Sequence, residues 1–186
     1  MTTTISAVMA SITVALLPMV KTKSLDILGV TNGLLAGLVA ITAGCDTIEP
    51  CYAIIVGIVG GLSFILARWA RIEMRIDDVC DAFAVHGLPG AWGCLAVGLF
   101  HEDTGLVVTG DASQLASQCL GVLVLTSLGW APTYALCFLL RRCGALRVTH
   151  DVEGAGLDSK FGLVAYARRS EAIQTLEHCE TVARLL

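Results

Sequence analysis

Basic residues fall in every second gap between the apolar stretches of this chain, and that alternation constrains its fold more than any other feature. The stretches run Ile5–Val20, Ile27–Ile48, Cys51–Ala70, Val79–Phe100 and about Leu115–Leu140. A bilayer core of about 30 Å takes roughly 20 apolar residues as helix. Each stretch approaches that length, the first least, with Pro18 inside it. Lys21 and Lys23 follow the first stretch, Arg68, Arg71 and Arg75 lie between the third and fourth, and Arg141, Arg142 and Arg147 follow the fifth. The gaps Asp46–Pro50 and His101–Gln114 contain no Lys or Arg. The positive-inside rule makes the first set of gaps cytoplasmic and the second external. The expected fold class is all-α membrane, with five transmembrane helices within residues 1–143 (about 5–20, 27–48, 51–70, 79–100 and 115–140). Residues 144–186 are then a cytoplasmic C-terminal tail.

Composition agrees. Only 15% of the residues are charged and the mean hydropathy is +0.76, whereas a soluble domain carries about 25% charged residues. A net charge of −4 without a basic cluster argues against a nucleic-acid partner. The first apolar stretch precedes the first basic residue, Lys21, which is the wrong order for a secretory signal. Of the eight cysteines none forms a CxxC pair, so neither a metal site nor a cofactor is expected. Cys80, Cys94, Cys119 and Cys137 lie in apolar runs, where cysteine acts as a small buried hydrophobe. Cys45 and Cys51 flank a short turn and could bridge, although spacing alone does not set the geometry.

Glycines recur at Gly29, Gly33 and Gly37, at Gly57 and Gly61, and at Gly87, Gly90 and Gly93. Small residues at such spacing let helix backbones approach closely in lipid, so a compact bundle is expected. The fourth stretch contains His86, eight positions beyond Asp78, or about 12 Å along a helix at 1.5 Å per residue. An ionisable residue at that depth is costly and starts as a functional candidate. Desolvation favours the neutral imidazole, which donates one hydrogen bond and accepts one. A structural histidine satisfied by a neighbouring helix is the other reading of the residues. Ala82 stands one turn before His86, and Pro89 and Gly90 one turn after, so this face is lined by small residues. Pro89 removes a backbone hydrogen bond and should distort the helix there. Asp78 and Asp77 suit the helix start. Asp81 points about 140° from His86 on a regular helix, so it is expected either to stabilise the helix start or to pair with another element. No nucleophile–base pair accompanies His86, and an enzyme is not expected. In the tail, Ile173, Leu176, Val182, Ala183 and Leu186 have helical spacing within Ala167–Leu186, as for an amphipathic helix docked on the bundle.

Three segments carry a resemblance. Asn32–Cys45, NGLLAGLVAITAGC, is similar to the NG-x-LAGLVAIT-x-GC segment of the ammonium transporter (Amt) family. Asp77–Phe100, DDVCDAFAVHGLPGAWGCLAVGLF, resembles the DD…D…VHG helix of that family. Leu146–Tyr166 resembles its cytoplasmic LRV…GLD…AY signature. The resemblance implies spans seven to eleven of an eleven-span protein that forms trimers with one pore per subunit, in the plasma membrane, with its C-terminus in the cytoplasm. It implies ammonium or ammonia as substrate, and His86 as the second of two pore histidines with Ala82 beside it on the pore face. Gly156 and Asp158 match the regulatory tail, and Ser159 falls near the regulatory Thr/Ser of the family.

Departures from the pattern are also legible. Phe161–Gly162 stands where the family has HG, and one residue fewer follows Asp158. The segment that carries the first histidine and the outer recruitment site is not in these 186 residues. One half of an inverted repeat cannot enclose a pore at its own interface, so conduction is expected to need the N-terminal half or a homo-trimer of full-length chains. The alternative is a non-conducting subunit or ammonium sensor that assembles with complete transporters.

Overall fold

The computed structural model describes residues 1–155, which are helical apart from turns and one isolated antiparallel bridge between Ile48 and His101. Helix α1 spans Thr2–Thr22, α2 Ile27–Thr42 and α3 Pro50–Glu73. A π-helical turn, Phe83–Gly87, leads into α4, Leu88–Phe100. A short α5, Leu106–Thr109, precedes the long α6, Ser113–Arg142, and α7 covers His150–Ala155. Among the described residues, four stretches are long and apolar enough to cross a membrane: Thr2–Val20, Pro50–Glu73, Phe83–Phe100 and Ser113–Arg142. The helix Ile27–Thr42 is apolar but shorter.

Helix ends follow local chemistry. The Asp26 side chain caps α2 by accepting from the Gly29 amide at 3.0 Å. Pro50 opens α3, where its missing N–H costs nothing, and Arg71 sits in the last turn, where a cation complements the helix dipole. The second apolar stretch continues to Ile48, yet α2 stops at Thr42. There the chain curls back: the Gly44 carbonyl accepts from the amides of Thr47 (3.2 Å) and Ile48 (2.9 Å). The Thr47 carbonyl accepts from Glu102 at 2.9 Å. Ile48 is buried by this turn rather than by a longer helix.

The first compact unit is Met1–Leu128. Its core has two buried clusters. One joins Ala40, Ile41, Ile48, Ala53, Val56, Ala96, Val97 and Phe100; the other joins Val14, Ala36, Phe64, Ala67, Ala84 and Val85. Between them α1 is wedged against two helices at once. A Cβ added to Gly37 would lie 2.5 Å from the Ser6 carbonyl oxygen, and one added to Gly57 would overlap that same oxygen. Ser6 Oγ also donates to the Gly37 carbonyl at 2.7 Å, and Trp92 Nε1 donates to Val56 at 3.1 Å. The glycine ridges are therefore contact surfaces for backbone. The outward faces of α2 and α3 are apolar as well, with Leu34, Leu35, Leu38, Ile54, Ile55, Leu62 and Leu66 exposed. A helix apolar on all sides that is not enclosed by protein belongs in lipid.

The thiols of Cys45 and Cys51 are free, so the short turn between them is not bridged. Two other cysteines depart from the buried placement expected of them. Cys80 is exposed because it precedes the π-helical turn instead of lying within a helix, and Cys119 is exposed on α6. In the second unit, which begins at Gly129, the Arg142 guanidinium lies 5.2 Å from the Phe138 ring centroid, and Arg147 pairs with Glu153 at 2.7 Å. The expected tail positions Gly156, Asp158 and Ser159, and the amphipathic helix expected over Ala167–Leu186, lie outside the described residues.

Candidate functional site

The helix bearing His86 starts later than its apolar pattern predicts. Asp78 caps it from a distance: its carboxylate oxygens accept from the amides of Ala82 and Phe83, each at 2.9 Å. Between them Asp81 adopts a left-handed conformation, φ 56°, and its carbonyl accepts from the Val85 amide at 2.8 Å. Such a φ is uncommon outside glycine, although Asp and Asn tolerate it best. The next residues form the π-helical turn, which ends two positions before Pro89. Pro89 has no N–H for the Val85 carbonyl, and a wider turn relieves both the missing bond and the ring clash. The distortion expected near Pro89 thus takes the form of a π turn, a feature frequent at functional sites.

This turn has two unlike faces. Ala84 and Val85 are buried against α2 and α3, in the cluster with Ala36, Phe64 and Ala67. Ala82, Phe83 and His86 are exposed. Among the described residues no group hydrogen-bonds to the His86 ring. The Phe83 ring folds back over Gly87, where an added Cβ would lie 2.7 Å from two ring carbons. The sequence signal for Phe83 is its position three residues before His86, on the same helical side.

Behind the turn is a charge cluster that the sequence reading also missed. Asp81 is the one charged residue buried among the described residues. It lies 2.7 Å from Arg71 Nη2 and 3.4 Å from Arg68 Nε, and accepts from Asn32 Nδ2 at 3.4 Å. Arg68 reaches Asp26 as well, at 2.5 Å. In the sequence Arg68 and Arg71 signal orientation; their i, i+3 spacing also puts them on one face of α3. The cluster is incompletely satisfied. Arg68 Nε and Arg71 Nε are buried without an acceptor, and Asp81 Oδ1, close to Arg71 in distance, is out of line for a hydrogen bond.

At the edge of this cluster the Gly29 amide, followed by the Arg68 guanidinium, holds the Asp26 carboxyl below its ordinary value of 3.8. A lowered carboxyl contributes stability that is present above the unfolded value and lost as pH falls through the folded one. Asp26→Asn should therefore lower thermal stability modestly at pH 7, with the difference from the native chain closing below about pH 4. A difference that persists unchanged at pH 3 in a detergent melt would remove the charge from this account.

The model of the ammonium transporter family matches residues 1–166. The chain belongs to that family. Ammonium transporter 1 member 1 of Arabidopsis thaliana is 31% identical over 182 residues, covering 89% of this chain and 36% of its own length. Ammonium transporter 1 member 3 of Solanum lycopersicum is 33% identical over 167 residues, covering 78% of this chain and 36% of its own. This member of the ammonium transporter family thus spans about a third of the length of the curated relatives it matches. Among solved structures, one titled Sensor Amt Protein superposes with a TM-score of 0.77 at 31% identity, over 84% of this chain and 40% of that one. Mep2 of Saccharomyces cerevisiae superposes at 0.72 over 78% of this chain and 36% of its own, at 22% identity, and so speaks for the fold alone. Family and apolar helices together make this ammonium transporter homologue an integral membrane protein.

Proposed function

We propose that this chain forms one wall of an ammonium-conducting pathway, lined by His86 and Ala82, with Phe83 beside them. The observation that carries the reading is the open face of the π-helical turn. It presents an imidazole without a protein partner, while the opposite face is packed. A structural histidine would be satisfied from a neighbouring helix; the ring of this one is exposed and has no hydrogen-bond partner among the described residues. The face carries no charged side chain, since Asp78 is engaged by two amides and Asp81 by two arginines. An imidazole in its neutral form can accept from, or donate to, a small N–H species without holding it by charge. In this reading residues 1–143 are the membrane part and 144–186 the cytoplasmic tail, in the plasma membrane. The first six spans of a family member, or a trimer of such chains, supply the facing wall.

The test is methylammonium uptake in cells lacking their own ammonium transporters. The chain is expressed alone and together with the first six spans of a full-length relative. Uptake is expected only in the combined case, and His86→Ala should lower it at least tenfold. Combined expression with no uptake, or uptake indifferent to His86→Ala, would sink the pore role.

A further inference from the structure

The cluster behind the π-helical turn has features that a mere tie between helices does not need. Asp81 starts the turn with its own carbonyl, bonded to Val85, and its backbone is in the left-handed region. Its carboxylate is the point where three elements meet: α2 through Asn32, and α3 through Arg68 and Arg71. Arg68 in turn reaches the Asp26 cap at the start of α2. The pair packs closely over Gly29, where an added Cβ would lie 2.8 Å from Arg68 Nη1 and 2.6 Å from Asp26 Oδ2. A buried charge pair with unsatisfied donors is a poor source of stability compared with apolar packing, and its best-attested use is to fix one arrangement among several. A backbone in a sparsely populated conformation persists only where its surroundings hold it, and such places cluster at functional sites.

We propose that Arg71, supported by Arg68, is a positioning residue for the His86 turn. By holding the Asp81 carboxylate against α3 it keeps the Asp81 backbone left-handed, and so fixes which way Ala82 and His86 face. The importance of His86 rests on the function proposed above; the clamp itself does not. Arg71→Gln leaves Asp81 with Arg68 and Asn32, so the helices should stay packed while the turn loosens.

Hydrogen–deuterium exchange of the full chain in nanodiscs reads this directly. In Arg71→Gln the amides of residues 82–87 should exchange about tenfold faster or more, with α1, α2 and α3 unchanged. The His86 ring resonances, assigned by loss in His86→Ala, should shift. Arg71→Lys, which keeps the charge, should restore exchange to within about twofold of native. Asp81→Asn tolerates the same backbone but lacks the charge, and should behave like Arg71→Gln. Unchanged exchange in both charge-removing variants overturns the proposal. So does faster exchange throughout α2 and α3, which would make the cluster a general tie, and so does failure of lysine to rescue. If the turn loosens as expected while uptake ignores His86, the clamp stands and the pore reading falls. If uptake needs His86 while the turn stays rigid, the reverse holds.

Discussion

Asp81→Ala is expected to destabilise the chain by about 3 kcal/mol, the low end for breaking a buried ion pair by removing one partner. The side chain is 9% exposed and its partners Arg71 and Arg68 are 19% and 33% exposed. Removing the carboxylate leaves the half-buried Arg71 without its counter-charge. Arg68 retains Asp26, which is why the cost belongs at the low end. Alanine also tolerates a left-handed backbone less well than aspartate, so the start of the π-helical turn is strained as well. Thermal unfolding of the purified chain in detergent, followed by helical circular dichroism, reads the change as a lower midpoint. Restoring neutrality with Arg71→Met in the same chain should recover part of the loss, because the uncompensated charge is then gone. A midpoint for Asp81→Ala within a degree of native would show that water or lipid headgroups already reach the cluster.

Gly57→Leu should cost a similar amount or more, for a different reason. The added side chain would have to occupy the place of the Ser6 carbonyl and Met9 Cβ, and backbone atoms cannot swing aside as a flexible side chain does. Overpacking usually costs about 1–3 kcal/mol; displacing a whole helix puts this site at or above the upper figure. Lipid adds to the effect. Apolar side chains gain little from leaving lipid for protein, so close packing through small residues is what holds such helices together. Ser6, whose carbonyl would be displaced, also ties α1 to α2 by donating its Oγ to the Gly37 carbonyl, so the disturbance reaches a second helix contact. Gly121→Leu on α6 is the control, because nothing lies within 4 Å of its Cβ position. It should leave stability unchanged, or raise it by up to about 1 kcal/mol through helix propensity. Equal destabilisation by both substitutions would mean that the glycines matter for insertion rather than for packing.

These two sites mark how far the sequence could be read. Gly57 was legible as a contact because helical periodicity puts it on one ridge with Gly61, and in lipid such ridges have one main use. His86 was legible because an ionisable residue amid apolar ones is conspicuous. Asp81 was legible only as a residue that should pair elsewhere. Its partner Asn32 is 49 residues away, and Arg68 and Asp26 are 42 apart. No local pattern records contacts over that distance. Arg71 and Arg68 stand nearer to Asp81, but the chain leaves α3 between them and it, so no helical period links them and they read simply as loop charge. Phe83 was passed over because one aromatic in an apolar run carries no signal until its ring is seen folded over Gly87.

By itself the sequence determined that the chain is helical and built for lipid, in what order its apolar segments come, and which residue among them is chemically out of place. Those properties follow from composition and periodicity within about 20 residues, the length a bilayer demands. Tertiary structure alone decided that α2 ends at Thr42 and buries Ile48 through a turn. It also decided that the His86 helix opens on a left-handed aspartate and a π turn, and that two arginines close around that aspartate. The reason is that each of these arrangements is settled by groups brought together only once the helices have packed.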